Sequence, residues 1–116
     1  MSDVLPPEDA LVLLGDEYAR RILVATRTEP MTASTLADTI DAAPSTVYER
    51  IGDLERAGFL TEVTRTDDHG NHYAEYSARL EQLSVRVTAD GLELDAAYAD
   101  RDEAAERLRA LWRDVR

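Results

Sequence analysis

The stretch Pro44–Ala57 gathers the residues best equipped for chemistry. Ser45 and Thr46 follow a proline that suits the first turn of a helix. Hydroxyls and free backbone N–H groups at such a start can meet a phosphate. Arg50 adds a guanidinium whose two-pronged geometry matches guanine or phosphate. Tyr48 contributes a phenolic hydroxyl at the edge of the outer face. Glu49 and Asp53 lie on that face too, as carboxylates able to share a hydrated cation with a phosphate. Each group also has a plainer reading. Arg50 can pair with Asp53 or Glu49 along the helix, and Tyr48 can pack on Ile51 and Phe59.

Beyond Gly58, Arg65 is placed to touch a phosphate or the minor groove, or to stack on Tyr73. His69, His72 and Glu75 invite a metal reading. Three such ligands around a hairpin tip, with no sulfur, fit a polar turn better. No metal site, cofactor or catalytic group is expected, and a small domain offers little room for a deep pocket. Cysteine is absent, so no disulfide, zinc thiolate or thiol sensor can form.

The chain has 116 residues, with 24 acidic and 13 basic side chains and a net charge of −11. Every basic residue is arginine; there is no lysine. No segment is net basic, so the usual footprint of nucleic-acid binding is missing. The lysine deficit, with abundant Ala, Thr and carboxylates, resembles the composition of proteins from extreme halophiles; the plainer reading is an acidic mesophilic protein with a chance lysine deficit. In a halophile's cytosol the Debye length falls to ~3 Å or less, and acidity describes that solvent more than the partner. The apolar runs are too short to span a bilayer, and Met1–Glu8 does not read as a signal peptide. A cytoplasmic protein with no membrane contact is expected.

These residues need elements to hold them. The pattern predicts one domain over 1–116, mainly α with a small β part (α+β). Two N-terminal helices occupy 1–30, the first opened by Pro7 and ended by Gly15, the second capped by Asp16 over Glu17–Arg27. A helix-turn-helix fills 31–58. Its support helix is Ala33–Ile40, its turn Asp41–Ala43, and its second helix starts at Pro44, with Val47, Ile51 and Leu54 as the buried stripe. Gly58 is the C-cap. A hairpin wing spans 59–78, folded at Asp67–Asn71. A second hairpin spans 83–95, with Asp90-Gly91 as a two-residue turn pairing Ala89 with Leu92 and Val87 with Leu94. An amphipathic helix is expected over about Asp100–Val115. Its stripe Ala104, Leu108, Leu111 and Val115, with Trp112 beside it, can pack on its own domain or serve as a dimerisation helix. Such a small domain buries only roughly two-thirds of its unfolded surface, which favours pairing.

Met31–Ala78 resembles the winged helix-turn-helix repressors of the ArsR and PadR type. The carrying residues are Thr35-Leu36-Ala37, then Pro44 through Ile51, then Leu54-Glu55-Arg56-Ala57-Gly58-Phe59-Leu60. With the flanking helices counted, the whole chain resembles one-domain haloarchaeal regulators of the oxidative-stress response. The resemblance implies a homodimer on promoter DNA, paired mainly through terminal helices. It implies DNA contact by Ser45, Thr46, Tyr48 and Arg50, and by Arg65 on the wing. Two-fold symmetry implies a pseudo-palindromic operator. Metal-sensing members use cysteines that this chain lacks, so a response to oxidants must pass through Met31, a ligand, a partner or DNA occupancy. The competing reading is a winged helix used as a protein-interaction module, which net acidity favours and outward Arg50 disfavours.

Overall fold

The computed structural model describes residues 6–99. Four helices come first: α1 (Pro7–Gly15), α2 (Glu17–Thr28), α3 (Ala33–Ile40) and α4 (Pro44–Arg56). Two antiparallel hairpins follow: β1 (Leu60–Thr66) with β2 (His72–Ala78), and β3 (Leu80–Thr88) with β4 (Gly91–Tyr98). This is an α+β winged helix-turn-helix with an additional hairpin. The expected helix over 100–115, with Ala104, Leu108, Leu111, Trp112 and Val115, lies outside the described residues.

The helix limits have local causes. Pro7 opens α1, and Glu8 and Asp9 sit at its positive end. Asp16 caps α2 by accepting the Ala19 N–H at 2.8 Å. Thr32 caps α3, its hydroxyl accepting the Thr35 N–H at 3.1 Å. α3 stops at Asp41, whose φ of 56° and ψ of 57° place it in the left-handed region, a conformation that Asp tolerates better than most side chains. α4 ends in a Schellman turn. The Phe59 N–H donates to Leu54 O at 2.9 Å and the Gly58 N–H to Glu55 O at 3.0 Å. Gly58 takes a φ of +80° there.

The helices close around one core. Ile22, Leu36, Val47 and Leu54 are fully buried, and Ala33, Ile40, Ile51, Phe59, Leu60 and Tyr76 join them. Burying each large aliphatic side chain contributes about 1.5–3 kcal/mol. Buried Thr26 satisfies its hydroxyl by donating to Ile22 O one turn back, at 2.8 Å. The wing is fastened to the helices by a two-way bridge. The Met31 N–H donates to Tyr76 O at 3.0 Å, and the Tyr76 N–H to Met31 O at 2.7 Å.

The second hairpin corrects the expected register. Val87 faces Leu92 and Val85 faces Leu94, and the loop is Ala89-Asp90 rather than Asp90-Gly91. A tight turn centred on Asp90-Gly91 would need positive φ at Asp90. Among the described residues Asp41 is the only non-glycine with positive φ. Gly91 takes φ +134° instead. The Thr88 hydroxyl fixes the turn, accepting the Asp90 N–H at 3.2 Å and donating to Gly91 O at 2.8 Å. Because the shift is two residues, Val85, Val87, Leu92 and Leu94 still share one face. The hairpin is also longer than expected, running from Leu80 to Tyr98.

Candidate nucleic-acid interface

α4 follows α3 after only Asp41-Ala42-Ala43. Val47, Ile51 and Leu54 turn into the core, so the opposite face of α4 is fixed outward. Ser45, Tyr48 and Glu49 are exposed, while Thr46, Arg50 and Asp53 are half-buried. Tyr48 stands 62% exposed, so it does not pack away beside Phe59. The start of α4 has Pro44 in its first turn, no side-chain cap and no acidic residue in that turn. The positive end of the helix dipole therefore meets no carboxylate of its own first turn.

Arg50 is not held by Asp53. Its Nε donates to Asp16 Oδ2 at 2.9 Å, and its Nη1 donates to Glu49 Oε1 at 2.6 Å. The Asp16 carboxylate thus caps α2 and grips α4 at once. Its pKa is lowered, chiefly by the hydrogen bond from Arg50 against the opposing cost of burial, with the Ala19 N–H helping. The Arg50 pKa is raised by the same bond to Asp16 and then by Glu49. Asp53 pairs with Arg56 one turn on.

On the wing, Arg65 stands directly opposite Tyr73 across the two strands. Its Nε donates to Glu75 Oε1 at 3.0 Å. Glu75 is therefore occupied by an arginine. The tip is an Asp-organised turn: the Asp67 carboxylate accepts the His69 N–H at 2.8 Å and the Asn71 N–H at 2.9 Å. Those bonds, Asn71 first, lower its pKa. His72 Nδ1 lies 3.1 Å from the Thr66 hydroxyl. Among the described residues no group of three or more His, Asp or Glu is arranged to hold a metal ion. None of the described helices is long and apolar enough to cross a membrane.

Helix, tight turn, helix with an outward first turn, glycine cap and wing now stand in order. Residues 14–63 match a family model described as a helix-turn-helix domain. The match takes in α2, α3, α4 and the opening of β1, which is less than half of the chain. No curated protein matches. The matched stretch takes in α2 and its capping Asp16, which sequence spacing ties to local structure alone. The second role of Asp16, as the partner of Arg50 across the helix pair, is the one that spacing misses. The signal available was an unpartnered acid at a cap, and nothing in the spacing linked it to α4.

Proposed function

We propose that the chain is a sequence-specific DNA-binding transcription regulator. It acts as a homodimer at promoters in a high-salt cytoplasm and responds to stress. The observation that carries this reading is α4. It lies in a helix-turn-helix, its apolar stripe is locked into the core, and Ser45 and Tyr48 stand exposed around its first turns, with Glu49 exposed beside its partner Arg50. Such a helix enters the major groove with its N-terminal residues at the base edges. Ser45, Thr46 and Tyr48 then position the backbone, and Arg50 supplies base or phosphate readout. Arg65 on the wing reaches the flanking backbone.

Two copies related by a two-fold axis read a pseudo-palindromic operator, its half-sites about one helical turn or a multiple apart. Dimerisation is assigned to Ala104, Leu108, Leu111, Trp112 and Val115. Glu49 and Asp53 face the same partner as Arg50, and salt cations bridge these carboxylates to phosphates. The role in oxidative stress rests on resemblance, and with no cysteine the signal comes through another group.

Selection of bound sequences from random duplexes in molar KCl tests this. Enrichment of a palindromic motif is the expected result. The pairing of Arg50 and Arg65 with carboxylates favours one second reading, a winged helix that docks on a protein. Recovery of no enriched motif, at any salt concentration, would favour that module instead.

A further inference from the structure

An open cleft of about 760 Å³ lies between α2 and the end of α3. That is within the ~300–1,000 Å³ usual for small-molecule sites. Val24 and Ala25 of α2 and Ile40 of α3 give it an apolar floor, and Val24 is left 74% exposed. Four charged residues line the same cleft: Glu17, Arg20 and Arg21 from α2, and Asp41 just after α3. Two of them neutralise each other, because Arg21 pairs with Glu17. Arg21 also donates to Ile40 O at 3.2 Å, satisfying one of the carbonyls left open at the end of α3. Arg20 and Asp41 remain. Arg20 is anchored by a single bond, Nη1 to Leu14 O at 3.0 Å. Neither Arg20 nor Asp41 makes an ion pair among the described residues. Arg20 thus keeps donors for an anion from outside, although the chain itself carries 24 acidic side chains.

We propose that this cleft binds a small zwitterion with an apolar body, of the kind a free aliphatic amino acid provides. Arg20 takes the carboxylate, to which a planar guanidinium can give two parallel hydrogen bonds. Asp41 takes the ammonium, and the apolar body lies on Val24, Ala25 and Ile40. A simple anion would answer Arg20 and be repelled by Asp41, and a simple cation would do the reverse. A zwitterion answers both. Screening at molar salt acts beyond ~3 Å, so contacts at hydrogen-bond distance survive it. The site does not depend on the DNA reading, but its place in the fold bears on that reading. Asp41 holds a left-handed backbone, with φ 56°, its N–H returns to Ala37 O, and only Ala42-Ala43 separate it from α4. A ligand held by Asp41 therefore sits on the turn that sets α4 against α3. A signal that needs no cysteine has an entry point there.

Equilibrium dialysis of the full chain against L-leucine in molar KCl tests this without DNA. Isocaproate carries the same branched chain without the ammonium, and isoamylamine carries it without the carboxylate. Leucine is expected to bind saturably and about tenfold or more tighter than either analogue, the effect of one hydrogen bond to a charged group. Arg20→Gln and Asp41→Asn are changes at exposed positions, and Asn tolerates the left-handed backbone that Asp41 adopts, so both variants keep the fold. Each should lower leucine affinity by about tenfold. Arg20→Gln should leave isoamylamine binding as it was, and Asp41→Asn should leave isocaproate binding as it was. The absence of saturable leucine binding, equal binding of the three probes, or unchanged leucine affinity in either variant overturns the proposal. Tighter binding of isocaproate than of leucine overturns it too, because the cleft is then a site for a simple anion.

Discussion

Replacing Asp16 by Asn separates the two duties of one carboxylate. Asn keeps an oxygen for the Ala19 N–H, since Asn and Asp cap helices about equally well. It loses the charge that faces Arg50. The Arg50–Asp16 contact is 2.9 Å long, between side chains 24% and 27% exposed. A hydrogen bond to a charged group contributes about 1.5–3 kcal/mol, and the solvent access of an ion pair near the surface trims this to about 1 kcal/mol. Asp16→Asn should therefore lower Tm by about 4–8 °C in a domain of this size. Thermal unfolding followed by circular dichroism in molar KCl reads that shift. Affinity for the selected operator should move the other way. Arg50 has to release Asp16 to reach a phosphate or a guanine, so removing the competitor should tighten binding by about fivefold, the same ~1 kcal/mol. Arg50→Ala should weaken binding by about 10- to 100-fold, and the double variant should bind like Arg50→Ala alone. Suppose instead that Asp16→Asn loses stability with affinity unchanged, and Arg50→Ala binds as tightly as the parent. Arg50 is then a latch between α2 and α4, and the readout assigned to it is wrong.

Burial, and then the neighbouring Glu62 carboxylate, raises the Glu55 pKa. The folded chain therefore holds that proton more tightly than the unfolded one, and stability declines as pH rises from about 4.3 through the folded value. Glu55→Gln should raise Tm at pH 7 and give no gain below pH ~4, as calorimetry at both pH values would show. Leu54 is fully buried and anchors the turn at the end of α4; Leu54→Ala should cost about 2–5 kcal/mol in chemical denaturation, and a loss under ~1 kcal/mol would contradict its place in the core. Operator binding should persist across molar KCl, because carboxylates flank both candidate arginines and counterion release is correspondingly small. A steep fall in affinity in a fluorescence anisotropy titration would count against cation bridging by Glu49 and Asp53.

Local chemistry explains why most of the fold was readable. α3 runs from Ala33 to Ile40 as expected, because Thr32 caps it and Leu36, Ala37 and Ile40 need one buried side. Pro44 and Gly58 bracket α4 for equally local reasons. The register of the second hairpin was not readable. Asp90-Gly91 is a strong turn signal, but the choice fell to the Thr88 hydroxyl and the φ that Asp90 avoids. The partner of Arg50 was hidden for a different reason. Helical spacing offers only neighbours on the same helix, and Asp16 lies 34 positions away, brought near only when α2 packs on α4. For the same reason sequence spacing sets Glu75 beside His69 and His72 in a polar turn, whereas cross-strand geometry gives it to Arg65.

The bridge between Met31 and Tyr76 ties the mobility of the wing to that of the helices. Both of its amide protons point across the junction where the lead-in to α3 meets β2. Hydrogen exchange at either amide requires that junction to part. Tyr76 is also buried in the shared core, so parting it exposes an aromatic ring as well as two peptide groups. A hairpin attached only through β1 would fray from its tip and open on its own. This one belongs to the same cooperative unit as α3 and α4, so the angle between wing and α4 is set by the fold of the free chain.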